Sequence, residues 1–80
     1  MSEEDILETF TQILRELLMN DSIVLTMETG REDVPGWDSL NYINFIVATE
    51  MKLGVKFKVA DVESFENVGQ IVAKTKSMLC

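Results

Sequence analysis

The sequence contains no histidine, a single cysteine at its last position, one proline and only seven basic residues among 80. Without histidine the chain lacks the usual general base near neutral pH, the commonest metal ligand and any Ser-His catalytic pair. A lone Cys80 excludes an internal disulfide framework and a cysteine-built zinc site. At the chain end it is either a reactive thiol or part of a frayed terminus. Seven bases against fourteen acids leave a net charge of −7, which repels nucleic-acid phosphates and anionic lipid and attracts basic protein surfaces. No segment is long and apolar enough to span a bilayer, and the acidic start lacks the charged region and apolar stretch of a signal peptide. The expected setting is the cytoplasm, with no nucleic acid and no membrane as partner. Carboxylates and lysines alone leave little for catalysis.

What is present is core material. A hydrophobic fraction of 46% is ample for one small domain spanning residues 1–80, near the lower size limit for a self-sufficient core. In "SEEDILETFTQILRELLMND", Ile6, Leu7, Phe10, Ile13, Leu14, Leu17 and Leu18 form one apolar stripe of helical spacing. Ser2 with Asp5 three residues on resembles a capping box, and the acids of the first turn suit the helix dipole. Asn20 and Asp21 mark the exit. From Asn20 to Trp37 no period holds, and Gly30, Pro35 and Gly36 punctuate a long loop. Val24, Leu25, Met27 and Val34 are the residues expected to pin it to the helices.

A second helix should start with Asp38 as N-cap, Ser39 and Leu40 being its first residues, and end at Gly54 in a left-handed cap. Leu40, Ile43, Ile46, Val47 and Glu50 follow helical spacing, and Phe45 with Ala48 broadens that face. "VKFKV" alternates like a strand but has no second strand to pair with. It reads as an extended connection whose Val55, Phe57 and Val59 plug the core. "ADVESF" can form a short turn of helix, and "ENVGQIVAKTKSML" a last helix with Val68, Ile71, Val72, Thr75, Met78 and Leu79 inward. The expected fold class is all-α: a small four-helix bundle, three main helices plus one short helix, with a long loop between the first and second. It is expected to be a monomer.

"GWDSL" opening an amphipathic helix, midway along an acidic chain of this length, resembles an acyl carrier protein. The resemblance extends over the long loop before the motif, "GVKF" after the helix and the closing "FENVGQIVAK". It implies a carrier rather than an enzyme, with Ser39 as the covalent attachment point of 4′-phosphopantetheine taken from coenzyme A by a phosphopantetheinyl transferase. Asp38 would then support Mg²⁺ near the coenzyme A phosphates as well as capping the helix; no metal site of the protein's own is implied. Leu40 would be an exposed contact for enzymes rather than a core residue. Further partners implied are an acyl- or aminoacyl-loading ligase or transferase and a downstream synthase or acyltransferase. The bare reading of Ser39 is an unmodified serine at a helix start.

The sequence departs from the acidic pattern usual along this helix in carriers of fatty acid synthesis. Those positions hold Asn41 and Asn44, followed by Val47 and Met51 on the presumed same face. A neutral face weakens long-range steering toward basic partners. That favours a specialised carrier of an aminoacyl, hydroxyacyl or polyketide unit, with Leu40, Asn41, Asn44, Val47 and Met51 as docking residues; the alternative is that the two asparagines are merely solvated. Two other functions compete: an unmodified carrier-like subunit or regulator of an enzyme complex, and a small enzyme pairing Ser39 with Lys52 or Lys56. The second lacks a glycine-rich oxyanion loop. Trp37, two residues before Ser39, reads either as a recognition surface or as a plug fastening the loop; its size in so small a domain favours the plug.

Overall fold

The computed structural model describes residues 1–79, and Cys80 lies outside them. Among the described residues there are four α-helices, α1 (Glu3–Leu18), α2 (Ser39–Leu53), α3 (Val59–Ser64) and α4 (Val68–Leu79), with one turn of 3₁₀ helix at Arg31–Asp33 and no strand. The all-α class, the four helices and the long first loop agree with the expectation.

Helix α1 begins where its capping chemistry demands. The Asp5 N–H donates to Ser2 Oγ and the Ser2 N–H donates to Asp5 Oδ2, both at 3.1 Å. Those two bonds hold the exposed Asp5 carboxyl below its ordinary pKa. Ile6, Phe10, Ile13 and Leu14 are buried, with Leu7, Leu17 and Leu18 packed partly against them. Helix α1 lies against both α2 and α4. The Phe10 and Phe45 rings meet edge to face, 5.2 Å apart, at the α1–α2 seam.

The long loop is fastened at several points. The Arg15 Nε–H donates to the Ile23 carbonyl at 2.8 Å, and Ile23, Leu25, Val34 and Trp37 are buried. Val24, expected to pin the loop, is 71% exposed. Successive residues of extended backbone point to opposite sides, so burying Ile23 and Leu25 turns Val24 out. Further on, the loop caps α4: the N–H groups of Val68 and Gly69 donate to the carbonyls of Thr29 and Met27, each at 2.8 Å. A Cβ at position 69 would stand 2.6 Å from the Met27 oxygen, so only glycine lets the loop approach this closely.

After α2, Gly54 adopts φ +68° and its N–H closes the helix on the Glu50 carbonyl. The connection stays extended, with Val55 and Phe57 buried. Val59 does not plug the core; it is 73% exposed. Lys58 is the N-cap of α3 and Val59 its first residue, so the alternation ends before Val59 is reached. Glu50, placed on the inward face by spacing alone, is half-buried, and its Oε2 accepts the Phe57 N–H at 2.8 Å. The Tyr42 hydroxyl donates to the Val62 carbonyl at 2.6 Å and ties α3 to α2. The ion pair of Lys74 with Asp61, 3.6 Å and partly exposed, adds a weak tie from α4 to α3. No described helix is long and apolar enough to cross a membrane.

Candidate functional site

The start of α2 is built by three residues that leave Ser39 free. Gly36 turns the loop at φ +86°. Asp38 then caps the helix: its Oδ1 accepts the Asn41 N–H at 2.9 Å while its carbonyl accepts the Tyr42 N–H at 2.8 Å. Asn41 closes the corner from the other side, its Nδ2–H donating to the Gly36 carbonyl at 2.9 Å. Ser39 is thereby the first residue of the helix, and it is exposed. The first backbone N–H groups of a helix have no acceptor within it and carry the positive end of the dipole. An ester phosphate on Ser39 Oγ would sit in a favourable field.

Two features surround this hydroxyl. On one side is a cleft of about 370 Å³ lined by Arg31, Tyr42, Ile43, Val62, Glu63 and Phe65 as well as Ser39. The Arg31 guanidinium lies 4.6 Å over the Tyr42 ring, within cation–π range. Burial raises the Tyr42 pKa, and the nearby Arg31 charge opposes that rise. The phenol is a neutral donor at physiological pH. On the other side is the outer face of α2, where Leu40 is 71% and Met51 82% exposed, and Ile43 and Val47 are about half exposed.

Of the expected site residues, Asp38, Ser39 and Leu40 occupy the predicted cap, first and second positions. Leu40 is at the surface rather than in the core. Asn44, Val47 and Met51 are exposed along the same side of α2, whereas Asn41 is half-buried and holds the turn. The inward spacing needs correction: Leu40, Ile43 and Val47 face out, and the buried residues are Tyr42, Phe45, Ile46 and Thr49. Both sides of this helix are apolar enough to satisfy the spacing, and Phe10 of α1 selects the side carrying Phe45. Sequence reasoning missed Tyr42 and Arg31. A lone tyrosine one position off the assumed stripe, and an arginine in a polar loop, gave no signal before the loop was folded against α2. Trp37 is 4% exposed, packed edge to face on Phe45 and Tyr42 at 5.3 and 6.2 Å, so it does plug the loop.

The described residues contain no cluster of three or more histidine, cysteine, aspartate or glutamate side chains able to hold a metal. Covalent attachment does fit: the hydroxyl is exposed, the helix start favours an anion, and the adjoining cleft has room for a tethered chain. No family model matches the sequence. It is 33% identical to an acyl carrier protein of Thermotoga maritima over 78 residues, 98% of this chain and 96% of that one. It is 27% identical over 79 residues to an acyl carrier protein of Saccharopolyspora erythraea, 99% of this chain and 83% of that one. The solution NMR structure of holo acyl carrier protein from Geobacter metallireducens superposes with a TM-score of 0.85 at 37% identity, over 91% of this chain and 84% of that chain.

Proposed function

Since the chain belongs to the acyl carrier protein family, whose members are not enzymes and carry 4′-phosphopantetheine, we propose that Ser39 is the attachment residue. The whole of residues 1–80 then acts as one carrier domain. The bound group supplies a terminal thiol on which an acyl or aminoacyl unit is held as a thioester. The chain's own residues present the attachment point. Asp38 holds the helix start, Asn41 holds the turn before it, and Ser39 projects from the first turn with its hydroxyl open to a phosphopantetheinyl transferase. Asp38 is exposed, and beyond its capping bond it assists the Mg²⁺-dependent transfer. The single observation that carries this reading is Ser39 exposed at the first position of a fully capped α2.

The outer face of α2 supports a specialised carrier rather than a general fatty-acid one. Leu40, Asn41, Asn44, Val47 and Met51 bring no charge to it, so association with a loading ligase or transferase and a downstream synthase or acyltransferase relies on apolar contact more than on steering. The protein works as a monomer in the cytoplasm.

The test is incubation with a phosphopantetheinyl transferase, coenzyme A and Mg²⁺, read by intact mass. One phosphopantetheinyl increment is expected on the parent and none on Ser39→Ala, with the helical circular dichroism unchanged. An increment that persists in Ser39→Ala overturns the site. Protein from its native host without the increment favours an unmodified subunit or regulator.

A further inference from the structure

Arg31 is a cation without an anion. Among the described residues the one ion pair joins Lys74 to Asp61, so no carboxylate holds the Arg31 guanidinium. Its contact is the Tyr42 ring, 4.6 Å from Cζ to the ring centre. A ring face attracts the charge but is a poor substitute for an oxygen, so the N–H donors of the guanidinium still lack one. The other arginine is satisfied, its Nε–H donating to the Ile23 carbonyl at 2.8 Å.

Both ends of this contact are held in place. The backbone of Arg31 is fixed by its 3₁₀ turn, where the Gly30 N–H donates to Asp33 Oδ2 at 2.9 Å and the Val34 N–H to the Arg31 carbonyl at 3.2 Å. The Tyr42 ring is fixed by the bond from its hydroxyl to the Val62 carbonyl at 2.6 Å. Tyr42 stands three residues after Ser39, and residues so spaced are neighbours on a helix, with Cβ atoms about 5–6 Å apart. Arg31 and Ser39 also line the same cleft. The guanidinium is thus set on the ring beside the serine hydroxyl. No lysine lines this cleft, and its other charged residue is Glu63. A free anion would meet one charge of each sign there. An anion tethered to Ser39 is kept at high local concentration beside the cation.

We propose that Arg31 anchors the phosphodiester of the arm, its guanidinium donating to phosphate oxygens while it keeps its contact with the Tyr42 ring. The inference rests on attachment at Ser39 and adds the residue that holds the anion so attached. A guanidinium can give parallel N–H bonds to two phosphate oxygens, which a lysine ammonium does not reproduce. The anchor restrains the pivot at Ser39 and leaves the rest of the arm free to swing. It also matches the single negative charge of the phosphodiester, so attachment does not turn the neutral outer face of α2 acidic.

The sequence has two arginines, Arg15 and Arg31, so ¹⁵N-labelled protein gives two sets of guanidinium signals and Arg15 serves as internal control. Protein with a free Ser39 is compared with protein bearing the free-thiol arm, after intact mass has verified complete attachment. Exchange of the Arg31 guanidinium protons with water should slow at least about tenfold on attachment, as one hydrogen bond to a charged group would cause. Arg15 should be unmoved. The ³¹P resonance of the arm should shift in Arg31→Gln, with Arg31→Lys falling between that variant and the parent. The exchange measurement uses the parent sequence alone, so it decides the matter even where Arg31→Gln fails to fold. Unchanged exchange at Arg31, or a ³¹P resonance indifferent to Arg31→Gln, overturns this inference alone. Equal slowing at Arg15 overturns it too, since that reports a general stiffening of the chain. No mass increment at all overturns the attachment reading and this inference with it.

Discussion

Helix α2 carries two apolar faces with opposite fates. Tyr42, Phe45, Ile46 and Thr49 are buried against α1 and the loop, whereas Leu40, Ile43, Val47 and Met51 are exposed along the other side. By residue type the outer row is the more hydrophobic, since the inner row includes a tyrosine and a threonine. Burial therefore follows from what lies opposite. Phe10 and Trp37 meet the inner row, and no described helix covers the outer one. Single exposed apolar residues are ordinary, but a row of them along one helix marks a surface with a use.

That contrast can be broken by substitution. The largest effect is expected at the loop side of the inner face: Trp37→Ala should destabilise the fold by about 2–4 kcal/mol, the usual range for truncating a buried aromatic. Denaturant melts of the unmodified protein check this, and a mutant as stable as the parent would place Trp37 among recognition residues only. Next in size is Thr49→Val. Thr49 is fully buried and its Oγ1 has no partner, so replacing the hydroxyl by a methyl should stabilise by about 1 kcal/mol. A loss of stability would mean that the hydroxyl is paired in solution.

On the outer face, Val47→Gln with Met51→Gln should change stability by no more than about 0.5 kcal/mol, as for other surface positions. The same pair should lower kcat/KM of the cognate loading enzyme several-fold, and unchanged kinetics would leave the exposed row without a docking role. The smallest effect on the fold is expected from Asn44→Glu, which adds charge and gives up only the long, exposed bond from the Asn44 Nδ2–H to Asn41 Oδ1 at 3.4 Å. It should raise turnover by fatty-acid enzymes with basic docking surfaces and make that turnover fall more steeply with salt. Asn41→Asp is a poorer probe, because it would replace the donor to the Gly36 carbonyl with an acceptor. Efficient use of the parent sequence, with its arm attached, by those enzymes would return it to the fatty-acid class.

Where a choice is local, the sequence by itself determined the outcome. Ser2 with Asp5, Asp38 before Ser39, and Gly54 after Leu53 act through bonds and backbone angles within a few residues, so these three helix ends and the position of Ser39 at a helix start were legible without a fold. The stripe of α1 was legible as well, since acids fill much of its opposite side and only one face can be buried. Tertiary structure decided everything that needed a second element. It chose the inner face of α2, turned Val24 and Val59 outward, set Arg31 over Tyr42 and sealed Trp37 against Tyr42 and Phe45. It also required glycine at position 69, where the loop's Met27 carbonyl comes within hydrogen-bonding distance of the Gly69 N–H. Periodicity states that a face is apolar, but burial depends on which apolar surface comes to lie against it, and that is a property of the assembled chain.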